Sequence, residues 1–220
     1  PWYNNSTIKL YNNIFEKMNG TYLSNTDKDI LNDMGLQNFT WGTSAEYRSG
    51  VAICANGDIY SPAFNKTKVI VDCIPYGENA NVYIKNCDIG IALTDCDLEE
   101  KNYHFENTLV GIRSNSKRKV DFDIRNNTMW APHFGVQLNG NIGIMHIRNN
   151  NINLRDQAVN IPKILNQPRY YSPIGIDLKF INYIPSANGS IDKFVYNNVI
   201  NIGYKTGIGI QDLNGKSDEE

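Results

Sequence analysis

No stretch of this chain carries the roughly 18–20 consecutive apolar residues that cross a bilayer as a helix, and no signal peptide opens it. No excess of basic charge is present either: 21 Lys and Arg stand against 23 Asp and Glu, which argues against nucleic acid as the main partner. Cysteine is sparse. Cys54, Cys73, Cys87 and Cys96 are too few for a disulfide scaffold and match no CxxC zinc spacing, so buried or half-buried free thiols are expected. One bridge is the alternative for an exported protein. Alanine is scarce as well, while β-branched residues, Asn, Gly and Tyr dominate, which disfavours helical repeats. The chain opens on Pro1 and not on Met, a start compatible with Met removal, processing or a fragment.

Asparagine is what the chain has in abundance, 32 of 220 residues, alongside 13 Tyr. With so much Asn, the Asn-x-Ser/Thr triplets at Asn4, Asn5, Asn19, Asn38, Asn65, Asn126 and Asn188 read as composition and not as glycosylation sites. The repeat described next also places Asn126 in the core. A hydrophobic content of 41% is enough to bury one.

Two segments align without a gap: Ile84-Lys85-Asn86-Cys87-Asp88-Ile89-Gly90-Ile91-Ala92-Leu93 and Phe105-Glu106-Asn107-Thr108-Leu109-Val110-Gly111-Ile112-Arg113-Ser114. Ile124-Arg125-Asn126, Ile147-Arg148-Asn149 and Val195-Tyr196-Asn197 start the pattern again, and Gly135-Val136, Gly175-Ile176 and Gly207-Ile208 or Gly209-Ile210 close it after insertions. The aligned asparagines are spaced 21, 19, 23 and 48 residues apart. Periods near 20 exclude the longer helical repeats, and the leucine-rich-repeat signature is absent. Alternate apolar residues (Val82/Ile84, Phe122/Ile124, Met145/Ile147) turn one face of each short strand inward. Asn suits the bend that follows because it tolerates left-handed geometry, and on successive coils about 4.8 Å apart such side chains can bond as a ladder. Gly relieves crowding at the next corner.

This pattern resembles the right-handed parallel β-helix proteins of the pectate-lyase-like superfamily, which include polysaccharide lyases and hydrolases, adhesins, and phage tailspike and fibre proteins. The resemblance covers roughly residues 50–213. It implies an all-β fold: a right-handed parallel β-helix solenoid of about five to seven coils over 51–213, with a partly helical N-terminal cap or linker over 1–50 and a charged tail over 214–220. Within the cap, short helices are expected over Ser6–Met18 and Thr26–Met34.

Strand alternation then sorts outward residues into rows. One row is Ala92, Arg113, Gln137, Asp177 and Gln211. A second is Tyr83, His104, Asp123, His146 and Phe194, and a third is Lys85, Glu106, Arg125, Arg148 and Tyr196. Asp123 between His104 and His146 could bind a divalent metal or tune an imidazole, and a solvated charge ladder is the plainer alternative. Glu106 could pair with Arg125 and leave Arg148 for an anionic sugar. Arg113, Gln137 and Asp177 lie beside insertions that carry Trp130, Phe134, Tyr170 and Tyr171, aromatics suited either to stacking on sugar rings or to covering the coil edge. The acidic run Asp95–Glu100 is expected as a solvated loop, with a Ca²⁺ site at Asp95 and Asp97 as the alternative, although it lacks EF-hand spacing. Ser114–Lys119 reads as a basic turn too short for a nucleic-acid or heparin site.

Among the motifs that the resemblance to polygalacturonase-like hydrolases would call for, only Asn25-Thr26-Asp27 occurs, outside the repeats. The leading expectation is therefore a non-enzymatic surface or virion protein of the tail-fibre, tailspike or adhesin type. It would bind a surface glycan or other surface proteins, need no cofactor, and lie extracellularly, on a cell surface or on a virion. Trimerisation would fit that reading. The competing expectation is a polysaccharide lyase or glycoside hydrolase on an acidic glycan, with Arg113, Asp177 and the histidine row as its site.

Overall fold

The computed structural model describes residues 6–16, 51–57, 67–73, 82–85, 87, 89–106, 108, 110–130, 134–154, 173–180, 193–202 and 207–214. Among these residues there are strands and no helix. In chain order they are β1 (Thr7–Tyr11), β2 (Phe15–Glu16), β3 (Val51–Asn56), β4 (Thr67–Asp72), β5 (Tyr83–Lys85), β6 (Ile89–Thr94), β7 (Cys96–Lys101), β8 (His104–Glu106), β9 (Val110–Arg125), β10 (Thr128–Trp130), β11 (Phe134–Arg148), β12 (Asn151–Leu154), β13 (Ile174–Phe180), β14 (Lys193–Tyr196), β15 (Val199–Ile202) and β16 (Ile208–Asn214).

Every pairing is parallel. Three ladders result, and the chain visits them in a fixed order. The first is β2-β5-β8-β10-β12-β15. The second is β3-β6-β9-β11-β13-β16 and the third β1-β4-β7-β9-β11-β14. The long strands β9 and β11 bend from the second ladder into the third, so each serves in both. The architecture is all-β with parallel sheets, compatible with a β-helix or solenoid-like fold.

The core follows from period-two alternation in register. Phe15, Ile84, Phe105, Met129, Ile152 and Ile200 form one inward row on the first ladder. Ile53, Ile91, Ile112, Val136 and Ile176 form one on the second. Each fully buried side chain of this size contributes about 1.5–3 kcal/mol. At the last described circuit the row is open: Ile176 is fully buried, whereas Ile210 in register with it is 51% exposed.

Glycine and asparagine shape the corners. A Cβ on Gly90, Gly111, Gly135 or Gly175 would lie 2.6 Å from the carbonyl oxygen of the next glycine in the column, so no larger residue fits without moving backbone. Asn12, Asn102, Asn126, Asn149 and Asn197 turn the chain from the third ladder to the first with φ between 54° and 62°. Two asparagine ladders run along that corner. The outer one passes from Asn149 Nδ2 to Asn126 Oδ1 (3.3 Å), then from Asn126 Nδ2 to Asn102 Oδ1 (3.2 Å). The inner one is buried at Asn127 and Asn150 and half-buried at Asn198: Asn127 Nδ2 donates to Asn150 Oδ1 (3.0 Å) and Asn150 Nδ2 to Asn198 Oδ1 (2.9 Å).

Several expectations are corrected here. Over the described part of the first expected helix, Thr7–Tyr11 and Phe15–Glu16 are strands. Ile8 and Leu10 alternate onto Val69 and Val71, Asn12 turns the corner, and Phe15 lands on Ile84, so a helix-like spacing is produced by two strands and a bend. The second expected helix, the rest of the cap and most of the charged tail lie outside the described residues. Asn126 is exposed at the corner, not in the core; its neighbour Asn127 is the buried one. Asn86 and Asn107, themselves outside the described residues, follow first-ladder strands, whereas Asn126, Asn149 and Asn197 precede them. Apolar-x-Asn thus falls at one corner on some circuits and at a different corner on others, and aligning all five residues joins unlike positions. The acidic run forms strand β7 and not a loop from Cys96 onward, and the basic stretch Ser114–Lys119 lies within β9 and is not a separate turn. The four cysteines are free, with Cys87 and Cys96 buried and Cys54 exposed. Burial pushes the Cys96 thiol up to about 12.

Candidate functional site

The mixed corners also mix two of the outward rows. His104 lies on the first ladder between Tyr83 and Thr128. Asp123, His146 and Phe194 follow one another on the third, where Glu99 precedes them. The carboxylate is therefore not flanked by two imidazoles. Glu106 pairs with Lys85 (3.1 Å) and not with Arg125, which stacks between Lys101 and Arg148.

The outer wall of the third ladder is a chain of ion pairs. Glu99 meets Lys68 at 3.0 Å, Lys101 at 3.5 Å and Arg125 at 3.9 Å. The Lys68 ammonium bonded to it holds its carboxyl below the usual carboxylate range. Asp123 lies 3.4 Å from Arg125 and 3.6 Å from Arg148, and Lys101 also reaches Asp72 (3.1 Å). Exposed pairs of this kind contribute about 0–1 kcal/mol each; their larger effect is to fix side-chain positions. At the end of this wall Arg148 donates to the Tyr196 hydroxyl (3.0 Å), and the Phe194 ring sits 5.5 Å from that of His146, tilted by 50°. Phe194 and Tyr196 are 47% and 41% exposed. Because strand residues two apart share a face, both rings project from β14 beside Asp123, His146 and Arg148.

The row Ala92, Arg113, Gln137, Asp177 and Gln211 forms as the pattern predicts, all on the second ladder. Its setting differs from a solvated wall. Gln137 is 7% exposed and Asp177 is fully buried. Gln137 Nε2 donates to Asp177 Oδ2 (2.9 Å), and Lys179 Nζ lies 3.5 Å from the same oxygen. Asp177 Oδ1 is buried without a hydrogen bond. Burial lowers the pKa of Arg113, and the Asp177 charge opposes that shift. Beside this row Phe134 packs with Ile89, Ala92, Val110 and Ile174 in a second apolar cluster. Alternation identifies the face on which a side chain stands, not what covers it. Trp130, half-buried, ends β10 on the first ladder, one ladder away from Arg113; Tyr170 and Tyr171 lie outside the described residues.

Asp95 and Asp97 each accept backbone amides. Asp95 Oδ1 accepts from the backbone amides of Lys117 (2.7 Å) and Arg118 (2.8 Å), and Asp97 Oδ1 from that of Asp121 (2.8 Å). Both carboxylates fasten their corner to the next circuit. Among the described residues no three His, Cys, Asp or Glu side chains cluster as metal ligands would.

Sequence reasoning passed over the exposed Phe194/Tyr196 pair, although both residues stand in its rows. It also missed the inner asparagine ladder, whose signal is the doubled Asn at 126–127, 149–150 and 197–198. No protein-family model matches the chain, and neither a curated protein nor a solved structure matches it.

Proposed function

We propose that the chain is a right-handed parallel β-helix of about five to seven coils, similar to members of the pectate-lyase-like superfamily, and a non-enzymatic surface or virion protein of the tail-fibre, tailspike or adhesin type. Its outer wall binds glycan. The observation that carries this reading is the pair of exposed rings, Phe194 and Tyr196, on β14 beside Asp123, His146 and Arg148. Aromatic faces take up the apolar face of a sugar ring, while carboxylate, imidazole and guanidinium groups address its hydroxyls or acidic substituents. The rest of the wall supports a structural and binding role: the charges of Glu99 and Asp123 already serve ion pairs within the protein.

The test is binding to immobilised acidic and neutral oligosaccharides, read together with product formation. Phe194→Ala combined with Tyr196→Ala is expected to weaken binding at least about fivefold, since two stacking contacts are each worth about 0.5–1.5 kcal/mol. Thermal stability should fall only modestly, because neither side chain belongs to the buried core. Binding without new reducing or unsaturated ends supports the reading; a double variant that binds as the parent does would remove this wall from it. Glycan turnover lost in Asp177→Asn or Arg113→Lys would favour the alternative, a lyase or glycoside hydrolase acting on an acidic glycan.

A further inference from the structure

The inner asparagine ladder stops at Tyr103, which occupies the corner position that Asn127, Asn150 and Asn198 hold on later circuits. Along the ladder each Oδ1 accepts a backbone amide from the circuit before: Tyr103 N–H to Asn127 (2.9 Å), Asn127 N–H to Asn150 (3.1 Å) and Asn150 N–H to Asn198 (3.0 Å). Each side-chain amide also reaches back to a carbonyl, Asn150 to Ile124 (3.1 Å) and Asn198 to Ile147 (2.8 Å). Asn127 breaks this rule, because its Nδ2 donates to the Oε2 of Glu100.

Glu100 stands in an inward row otherwise made of Leu10, Val71, Ile124, Ile147 and Val195. It is fully buried, and its Oε1 has no hydrogen bond. The charges that act on it are those of Asp72 on β4 and Asp123 on β9, both negative. The cations of the same strands, Lys101 and Arg125, are engaged on the outer wall by Asp72, Glu99 and Asp123. Nearby Tyr103 and Cys73 are held protonated, Tyr103 with a value pushed up to about 12. An ionised Glu100 would thus have one hydrogen bond from a neutral amide and two like charges facing it, inside an apolar row.

We propose that Glu100 closes the asparagine ladder as an uncharged carboxylic acid, and that the corner formed by Tyr103 and Asn127 is a proton-dependent latch, shut while the acid holds its proton and loosened when that proton leaves to solvent. Burial raises the acid's pKa well above the ordinary glutamate value, so the folded state binds the proton more tightly than the unfolded chain does. The stability linked to this proton is complete below the ordinary glutamate range. It is lost as pH rises through the raised value, with the unfolding equilibrium constant growing tenfold per pH unit across that span.

The experiment compares the parent with Glu100→Gln by urea unfolding from pH 5 to pH 9. It adds amide exchange at Tyr103 and Asn127, corrected for intrinsic base catalysis, and a ¹³C NMR titration of the Glu100 carboxyl in the parent. Expected are a carboxyl that titrates above the ordinary glutamate range, faster exchange at both amides as it does so, and a stability of the variant, relative to the parent, that grows tenfold per pH unit over the same span. A carboxyl titrating at or below the ordinary range overturns the proposal. So does a folded variant whose pH profile parallels the parent's. If the variant does not fold, the parent's titration and exchange decide the matter.

Discussion

Gly111→Ala is expected to destabilise the protein by about 3 kcal/mol, whereas Gly209→Ala, three members further along the same column, is expected to be neutral or stabilising by up to about 1 kcal/mol. A Cβ on Gly111 would lie 2.6 Å from the carbonyl oxygen of Gly135 and 3.2 Å from the Met129 sulfur. Met129 can adjust. The carbonyl cannot, because it belongs to a backbone held in parallel register on both sides. The relief must come from separating two circuits, which puts the cost at the upper end of overpacking. Gly209 has no atom within 4 Å of the same hypothetical Cβ and no left-handed φ. Alanine there only restricts the unfolded chain. Urea unfolding of the two variants separates the effects, and equal losses at both positions would show that clash with the next circuit is not why the column is glycine.

Asn150→Ala is expected to cost about 3 kcal/mol, with amide exchange accelerating at Asn127. Asn150 is 1% exposed and its side chain makes contacts in both directions along the corner: it accepts from the Asn127 backbone and side chain and donates to the Ile124 carbonyl and to Asn198. Alanine fills part of the volume but leaves the buried Asn127 N–H without this acceptor, and an unsatisfied buried group costs about 1–3 kcal/mol. Asn149→Ala is the control. Asn149 is exposed, and its bond to Asn126 competes with water, so its main loss is the left-handed preference at φ 57°. A loss no larger at Asn150 than at Asn149 would show that the inner ladder does not hold the corner.

The row from Ala92 to Gln211 was legible because each member follows a Gly-apolar pair at a constant offset, and the glycine is compulsory at Gly90, Gly111, Gly135 and Gly175. The histidine row was not, because apolar-x-Asn falls at different corners on different circuits and sequence spacing alone does not separate them. A slip between corners moved Asp123 and His146 next to His104, although they stand on different ladders. The burial of Gln137 and Asp177 could not be read from alternation, which sees one strand and not its cover. Glu100 was hidden for the opposite reason: in Asp95-Cys96-Asp97-Leu98-Glu99-Glu100 it reads as one more surface acid, and only the parallel register with Val71 and Ile124 places it inside. The N-terminal helix was expected because Ile8, Tyr11 and Phe15 share a helical face; Asn12 at φ 54° breaks that face into two strands.

Because every ladder among the described residues is parallel and its strands pair with those of the circuits before and after, the ladder hydrogen bonds that hold neighbouring circuits together act in series along a single axis. Tension applied along that axis is carried in full by each interface in turn, so the molecule yields at its weakest interface and not by even stretching.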